Sequence, residues 1–140
     1  MATPLALDFT YRAYAEANSI VEWLDGYQRE YANRFTDALE RETAAACQVF
    51  ANHLAAGRPI GPEDETGSLA FSRPVFTRLF TTAKVRRRNN AAGTYRVYYA
   101  LADSDGDGKA DTLQVLAVRH AAARPLWDIS TYDFDPNESF

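Results

Sequence analysis

The spacing of apolar positions predicts a strand and then a helix at the start of the chain. Residues 5–10 alternate apolar and polar side chains, which is typical of a half-buried strand. Apolar residues then recur every three or four positions, as one face of a helix requires: Tyr14, Ala17, Ile20, Val21 and Leu24. Asp25-Gly26 predicts the end of this helix, because glycine readily takes the left-handed conformation of a C-cap.

A second helical pattern covers residues 28–55. Its apolar stripe contains Tyr31, Phe35, Leu39, Ala46, Val49, Phe50 and Leu54. The charged residues of this segment are assigned mostly to the solvent face: Glu30, Arg34, Asp37, Glu40, Arg41 and Glu42. A short turn separates the two helices, which predicts an antiparallel helical hairpin.

The second half of the chain predicts a sheet. Residues 57–74 combine glycines and prolines with an acidic run and indicate a long surface loop. Residues 75–88, 94–102 and 112–120 are rich in β-branched and aromatic residues, and short turns rich in Asn, Asp and Gly join them into an antiparallel meander. The order β-α-α-β-β-β predicts an α+β fold with the helical hairpin packed on one sheet face.

Size and composition are those of a single domain. The chain has 140 residues, of which 46% are hydrophobic, so it can bury a core without disulfides or a metal. Cys47 is the one cysteine and cannot form an internal disulfide. The first residues lack the pattern of a signal peptide, and no apolar run is long enough for a membrane span. We therefore expect a cytoplasmic protein with no membrane partner.

The charges are unevenly distributed along the chain. The formal net charge is −4, which taken alone argues against a nucleic-acid binder. Between Arg73 and Arg124, however, ten Lys or Arg minus four Asp give a charge of +6, and the remainder is strongly acidic. This difference makes the basic sheet region of residues 84–119 the candidate functional region.

Several of these segments occur together in one known family. The strand-helix segment LDFTYRAYAEANSIVEWL, the helical hairpin ending at Gly57-Arg58-Pro59, the strand Tyr95-Arg96-Val97-Tyr98-Tyr99 and the segment Leu116-Ala117-Val118-Arg119-His120 follow in that order. From about Leu5 to Trp127 the chain resembles the RelE/ParE superfamily of bacterial type II toxins. The resemblance implies a RelE/ParE-like toxin domain over residues 1–127, followed by an acidic tail over residues 128–140.

The resemblance implies a growth-inhibiting toxin of a toxin–antitoxin or plasmid stabilization module, neutralised by a cognate antitoxin. RelE-like members are mRNA interferases that cut mRNA on the ribosome, whereas ParE-like members poison DNA gyrase and are not nucleases. The fold is common to both modes, so the site must distinguish them.

A nuclease of this class would be a metal-independent endoribonuclease. It needs cations at the phosphate and a general acid for the leaving oxygen. Lys84, Arg86 and Arg88 alternate and would share one strand face. Arg96 occupies the family's Tyr-Arg position, and His120 could supply a proton. In this reading the catalytic residues are Lys84, Arg86, Arg96 and His120.

The alternative reading is a surface that binds a protein. In that reading Arg87, Arg88, Arg119 and Arg124 contact the gyrase target or the antitoxin. The acidic composition and the sparsely charged segment 121–124 depart from the nuclease pattern and favour the ParE-like mode. A toxin-like fold that is not toxic and serves as an interaction or calcium-binding module stays open, as does a homodimer.

The turn between the last two predicted strands resembles the start of an EF-hand loop. Asp103, Asp105, Asp107 and Asp111 occupy positions 1, 3, 5 and 9, with a glycine at position 6, a pattern that could bind Ca²⁺. Position 12 is Gln114 instead of the usual glutamate. Asp and Gly are also favoured in hairpin turns that bind no metal, so both interpretations stay open.

Overall fold

The computed structural model describes residues 2–57, 75–82 and 93–121. The elements follow the predicted order, and they are β1 (Ala6–Phe9), α1 (Tyr11–Asp25), α2 (Arg29–Ala55), β2 (Phe76–Thr81), β3 (Thr94–Ala102) and β4 (Thr112–His120). The α+β class is confirmed, and β3 and β4 have the predicted bounds. Strand β2 ends at Thr81, and the rest of the predicted strand over residues 75–88 lies largely outside the described residues.

The four strands form one mixed sheet in the order β1-β4-β3-β2. Strands β2, β3 and β4 pair antiparallel, as the predicted meander requires. Strand β1 pairs parallel to β4, from Ala6 opposite Thr112 to Phe9 opposite Val115. Because β1 stops there, the last five residues of β4 extend beyond it and lie beside α1 instead.

Thr10 joins the end of β1 to both the helix and the sheet edge. Its side-chain oxygen accepts a hydrogen bond from the Ala13 N–H and caps α1. The same hydroxyl donates to the Leu116 carbonyl at 3.1 Å, and the Thr10 N–H donates to the Val115 carbonyl at 3.0 Å. One buried residue therefore begins the helix and fixes that helix against β4.

The helices cover one face of the sheet through an aromatic core. The Phe35 ring of α2 lies 4.9 Å from Tyr95 of β3, and the Phe50 ring lies 5.4 Å from Phe76 of β2 (centroid distances). Each such side chain contributes about 1.5–3 kcal/mol when fully buried. This packing places α2 over β2 and β3 and leaves α1 beside β4.

A second buried cluster lies on the opposite face of the sheet. Its members are Val75, Tyr98, Ala100, Leu116 and Ala117, all at most 1% exposed. The register shifts between Tyr98 and Tyr99, so Leu116 has no direct partner on β3, which is the geometry of a β-bulge. Much of this second face is therefore core and not a solvated surface.

Two local predictions about the helices were wrong. Gly26 has a right-handed φ of −63°, so α1 does not end in a left-handed cap. Glu42, assigned to the solvent face, is buried against the sheet, while Tyr31, Val49 and Leu54 of the predicted stripe are exposed. The buried face of α2 is thus rotated toward Ala32, Ala38, Glu42, Thr43 and Cys47.

Neither helix of the described segments has the length and apolar character that crossing a membrane requires.

Candidate functional site

Arg96 lies on the sheet face that points away from the helices. Its neighbour Tyr95 packs into the helix-covered core, and consecutive side chains of a strand point to opposite faces. Arg96 is directly opposite Arg119 on β4 and Leu79 on β2. Leu79 is 56% exposed. The three positions form a row across the sheet, and the Arg119 guanidinium contacts Glu16 of α1 at the sheet edge.

His120 lies at the end of β4 on the other face. It is directly opposite Tyr95, and the two rings meet edge to face at a centroid distance of 5.5 Å. Because Tyr95 packs against Phe35 of α2, the imidazole is on the helix-covered side. The sheet therefore separates Arg96 from His120, although their positions along the strands are close.

The other basic candidates lie outside the described residues. These are Lys84, Arg86, Arg87, Arg88 and Arg124. Their grouping on one strand face stays a prediction. Of the proposed binding arginines, Arg119 is described, and it faces a pocket at the edge of β4.

This pocket, called here the β4-edge pocket, lies between α1 and the part of β4 that extends beyond β1. Its volume is about 470 Å³, within the range of small-molecule sites. Its lining residues are Arg12, Ala15, Glu16, Ser19, Ile20, Val118, Arg119 and His120. The floor is largely apolar, and two guanidiniums, a carboxylate and an imidazole surround it.

Glu16 organises the polar side of the β4-edge pocket. Its Oε1 atom accepts a hydrogen bond from the Val118 N–H at 3.1 Å, where β4 has passed the end of β1. Its Oε2 atom lies 3.3 Å from Arg119 Nε and 3.7 Å from Arg12 Nε. The carboxylate thus replaces a missing strand partner and holds two cations from different elements.

Burial determines the protonation behaviour of this carboxylate. Desolvation raises the pKa of Glu16 above its ordinary value, and the nearby Arg119, the Val118 N–H and Arg12 oppose that shift only in part. A desolvated carboxylate among cations in a pocket is typical of functional sites and also of structural ion pairs. The sequence offered one signal for this group, the spacing of Arg12 and Glu16 by four positions on a helix.

The hairpin loop between β3 and β4 brings together three of the four predicted calcium ligands. Oxygens of Asp103, Asp105 and Asp111 lie within 4.8 Å of one another, and Asp107 is not part of this cluster. Gly108 has a φ of +85°, as the glycine at position 6 of the motif would need. Gln114 is buried in β4 and pairs with Asp8 and Ala100.

The loop is also stabilised by hydrogen bonds of its own. Asp103 accepts the Gly106 and Gly108 N–H groups at 2.9 and 2.7 Å, and the Gly108 N–H is the main cause that lowers the pKa of Asp103. The Thr112 hydroxyl, followed by Ser104, lowers the pKa of Asp111. These bonds explain the loop geometry without an ion, so calcium binding stays a prediction.

A second carboxylate–arginine pair, not predicted from the sequence, lies between α2 and the sheet. Glu42 Oε1 and Oε2 accept from Arg78 Nε at 2.9 and 3.2 Å, and the Tyr99 hydroxyl donates to Oε2 at 3.4 Å. The Glu42 side chain is only 6% exposed. Burial, together with the adjacent Glu42 carboxylate, raises the pKa of the Tyr99 phenol. This pair connects α2 to β2 and β3 inside the core.

Comparison of the chain with protein-family models, with curated proteins and with solved structures returned no match.

Proposed function

We propose that this chain is a growth-inhibiting toxin of the RelE/ParE class that acts in the ParE-like mode, by binding DNA gyrase, and is neutralised by a cognate antitoxin. The order of elements and the pairing of the Tyr95–Tyr99 strand with the Leu116–His120 strand support the class. They are the two segments on which the resemblance depends most.

The positions of Arg96 and His120 are the reason that we favour the ParE-like mode over the RelE-like nuclease mode. A general acid and a phosphate-binding cation must both reach one phosphodiester, each within about 3 Å of the atoms it serves. The two side chains point to opposite faces of one sheet. This arrangement favours a protein-binding surface over a nuclease site formed by that pair.

The row Leu79–Arg96–Arg119 combines the cationic and apolar side chains that such a protein-binding surface needs. Like charges directly opposite each other on paired strands are unfavourable by themselves. An acidic partner would add a contact for Arg96 beside the existing Arg119–Glu16 pair, and the exposed Leu79 would add apolar contact area. We therefore assign target binding to this row, with Arg96 at its centre.

The test combines three measurements on the protein expressed from an inducible promoter. Purified protein should block supercoiling by gyrase, mRNA should stay intact during translation, and expression should stop growth. Arg96→Ala should weaken the gyrase effect, whereas Arg29→Ala, at an 83% exposed helix position, is the control and should not.

Other outcomes would replace the proposal. mRNA cut during translation, with cutting abolished by Arg96→Ala or His120→Ala, would establish the interferase mode. Growth that continues normally at full expression would establish a non-toxic interaction module.

A further inference from the structure

We propose that the turn between α1 and α2 binds a basic segment of a partner protein, through the arginine or lysine side chains of that segment. The binding surface, called here the α1–α2 turn surface, consists of Glu22, Trp23, Asp25 and Tyr27. It belongs to the helices, whereas the Leu79–Arg96–Arg119 row lies on the sheet face that points away from them. The inference does not rest on the proposed toxin function.

An exposed aromatic pair forms the apolar part of the α1–α2 turn surface. Trp23 is 60% exposed and Tyr27 is 67% exposed, the highest values among the exposed large hydrophobic residues of the described segments. Their rings meet edge to face at a centroid distance of 5.2 Å, so each ring keeps a π face that the other does not cover. The face of an aromatic ring is electron-rich and attracts cations, and the indole of tryptophan does so most strongly.

Backbone hydrogen bonds hold this aromatic pair in position before a partner binds. The N–H groups of Tyr27 and Gln28 both donate to the Leu24 carbonyl at 3.0 Å. The Gly26 N–H donates to the Glu22 carbonyl at 3.1 Å. Because the turn is already ordered by these bonds, binding costs conformational entropy mainly in the side chains and in the partner.

The charges around the aromatic pair favour a cationic partner. Over residues 22–40, two Arg minus five Asp or Glu give a charge of −3. Glu22 and Asp25 lie in the last turn of α1, and no basic side chain is present in that turn of the described helix. The final carbonyls of a helix carry a partial negative charge, so carboxylates are unfavourable there and a cation is stabilising. An arginine or lysine of the partner would supply that cation.

The two arginines of the neighbouring α2 segment already make the kinds of contact that we propose for the partner. Arg29 Nε lies 3.5 Å from Asp25 Oδ1, and the two side chains are 83% and 46% exposed. Such an exposed pair contributes little free energy, so a competing cation replaces it at little cost. The Arg34 guanidinium lies 5.9 Å from the centroid of the Tyr31 ring, within cation–π range. A guanidinium of the partner would contact the Trp23 face in the same way.

The same charges argue against two other partners that bind exposed aromatic residues. Tryptophan side chains also insert into membrane interfaces, and the bases of single-stranded nucleic acids stack on aromatic rings. Anionic lipids and phosphate backbones would both be repelled by the carboxylates of Glu22 and Asp25. We therefore assign a basic protein segment to this surface.

The experiment measures binding of a fluorescein-labelled peptide of alternating arginine and alanine to the full-length protein by fluorescence anisotropy. At low ionic strength we expect saturable binding with a dissociation constant on the order of 0.1 mM, and added salt should weaken it. A peptide with citrulline at every arginine position keeps the shape without the charge and should bind at least about tenfold more weakly.

NMR places the peptide on the protein. The chain has two tryptophans, and the indole N–H signal of Trp23 is identified by its loss in Trp23→Phe. We expect the arginine peptide to shift this ¹H–¹⁵N signal with the same saturation curve that the anisotropy gives.

Matched variants locate the site. Trp23→Leu keeps an apolar side chain without a π face and should weaken binding about fivefold. Tyr11→Leu, at an exposed aromatic position at the other end of α1, should not. Glu22→Gln should weaken binding about threefold, and Glu40→Gln, which removes the same charge from an exposed position on α2, is its control. Because all four positions are exposed, these variants should stay folded.

The inference is overturned if the arginine peptide gives no saturable signal, if the citrulline peptide binds equally well, or if Trp23→Leu and Tyr11→Leu bind with the same affinity. Phosphatidylglycerol vesicles and a uridine oligonucleotide are tested for the other two partners. If either of them shifts the Trp23 indole signal and the arginine peptide does not, a membrane surface or a single-stranded RNA replaces the basic protein segment.

Discussion

The described residues include two carboxylate–arginine pairs between a helix and a strand, and the two pairs differ in surroundings. Glu42 is enclosed between α2 and the sheet with its side chain 6% exposed, and its partner Arg78 is 26% exposed. Glu16 and Arg119 lie at the edge of the sheet beside a pocket, where both side chains are about one-fifth exposed. The first pair has the surroundings of a structural contact, and the second also has space for a ligand.

The energetic consequence of removing one side chain also differs between the two pairs. A fully buried pair gains little over apolar side chains of equal size, but removing one member leaves an uncompensated buried charge. At the edge, the Glu16 carboxylate also accepts the Val118 N–H, so removing it costs a hydrogen bond as well as an ion pair. Four experiments break or sharpen this comparison.

The largest effect is expected from Arg78→Met. This change removes the Arg78 guanidinium from the buried Glu42 carboxylate and should lower the free energy of unfolding by about 3–5 kcal/mol. The double variant Glu42→Leu/Arg78→Met should recover most of that loss. Urea denaturation measures both, and a double variant as unstable as Arg78→Met would show that the buried Glu42 carboxylate is not the source of the loss.

A smaller loss is expected at the edge from Glu16→Ala. This variant leaves the Val118 N–H without its acceptor and should cost about 1–3 kcal/mol. Glu16→Gln keeps an amide oxygen in place and should cost clearly less. If the two variants are equally destabilised in urea, the charge and not the hydrogen bond holds α1 to β4.

The pH dependence of the edge pair is smaller and has a definite sign. Because burial raises the pKa of Glu16, the folded protein binds more protons than the unfolded chain above about pH 4, the ordinary range for glutamate. Stability therefore falls as the pH rises through the folded pKa. The groups that act on Glu16 are Arg12 on its own helix and, on β4, Arg119 and the Val118 N–H; His120 lines the same pocket.

The difference in the free energy of unfolding between the wild type and Glu16→Gln isolates the contribution of Glu16 titration. Measured in urea from pH 4 to pH 8, the wild type should lose stability relative to the variant as the pH rises. A difference that grows in the opposite direction would mean that the arginines outweigh burial.

The smallest expected effect is Ca²⁺ binding by the carboxylates of the loop between β3 and β4. Calorimetric titration with Ca²⁺ should give a weak saturable heat with a dissociation constant on the order of 10⁻⁴–10⁻³ M if the loop binds calcium. Asp103→Asn should abolish it, and Asp107→Asn, outside the cluster, should reduce it less. The absence of heat at millimolar Ca²⁺ would leave the loop as a turn stabilised by its own hydrogen bonds.

Apolar residues repeating with a period of two predicted the strands, and those with a period of 3.6 predicted the helices. These periods reflect which face of each element is buried. They did not predict which strand β1 would join, since a short strand carries little information about its neighbour. Glu42 has the helical spacing of the buried stripe, between Leu39 and Ala46, yet its charge assigned it to solvent. Its cation is 36 residues away along the chain, so no local pattern reveals the pair.

The sequence predicted which strands carry the candidate residues, but it did not predict which of those residues share a sheet face. Arg96 and His120 were correctly placed on neighbouring strands, and their strand bounds were correct. Whether they share a face depends on the register of the pair and on the bulge at Leu116, which only the three-dimensional pairing fixes. The pocket that involves Glu16 depends on where β1 stops, and that end point comes from Thr10.

The link from Thr10 to Leu116 spans 106 positions and has a consequence for synthesis. In the four-stranded sheet β1 pairs with β4, so the first strand emerges from the ribosome long before its partner exists. The helical hairpin can form early from local contacts, but the sheet edge closes only after β4 has been translated. During that interval the β1 segment of the nascent chain has no strand to pair with.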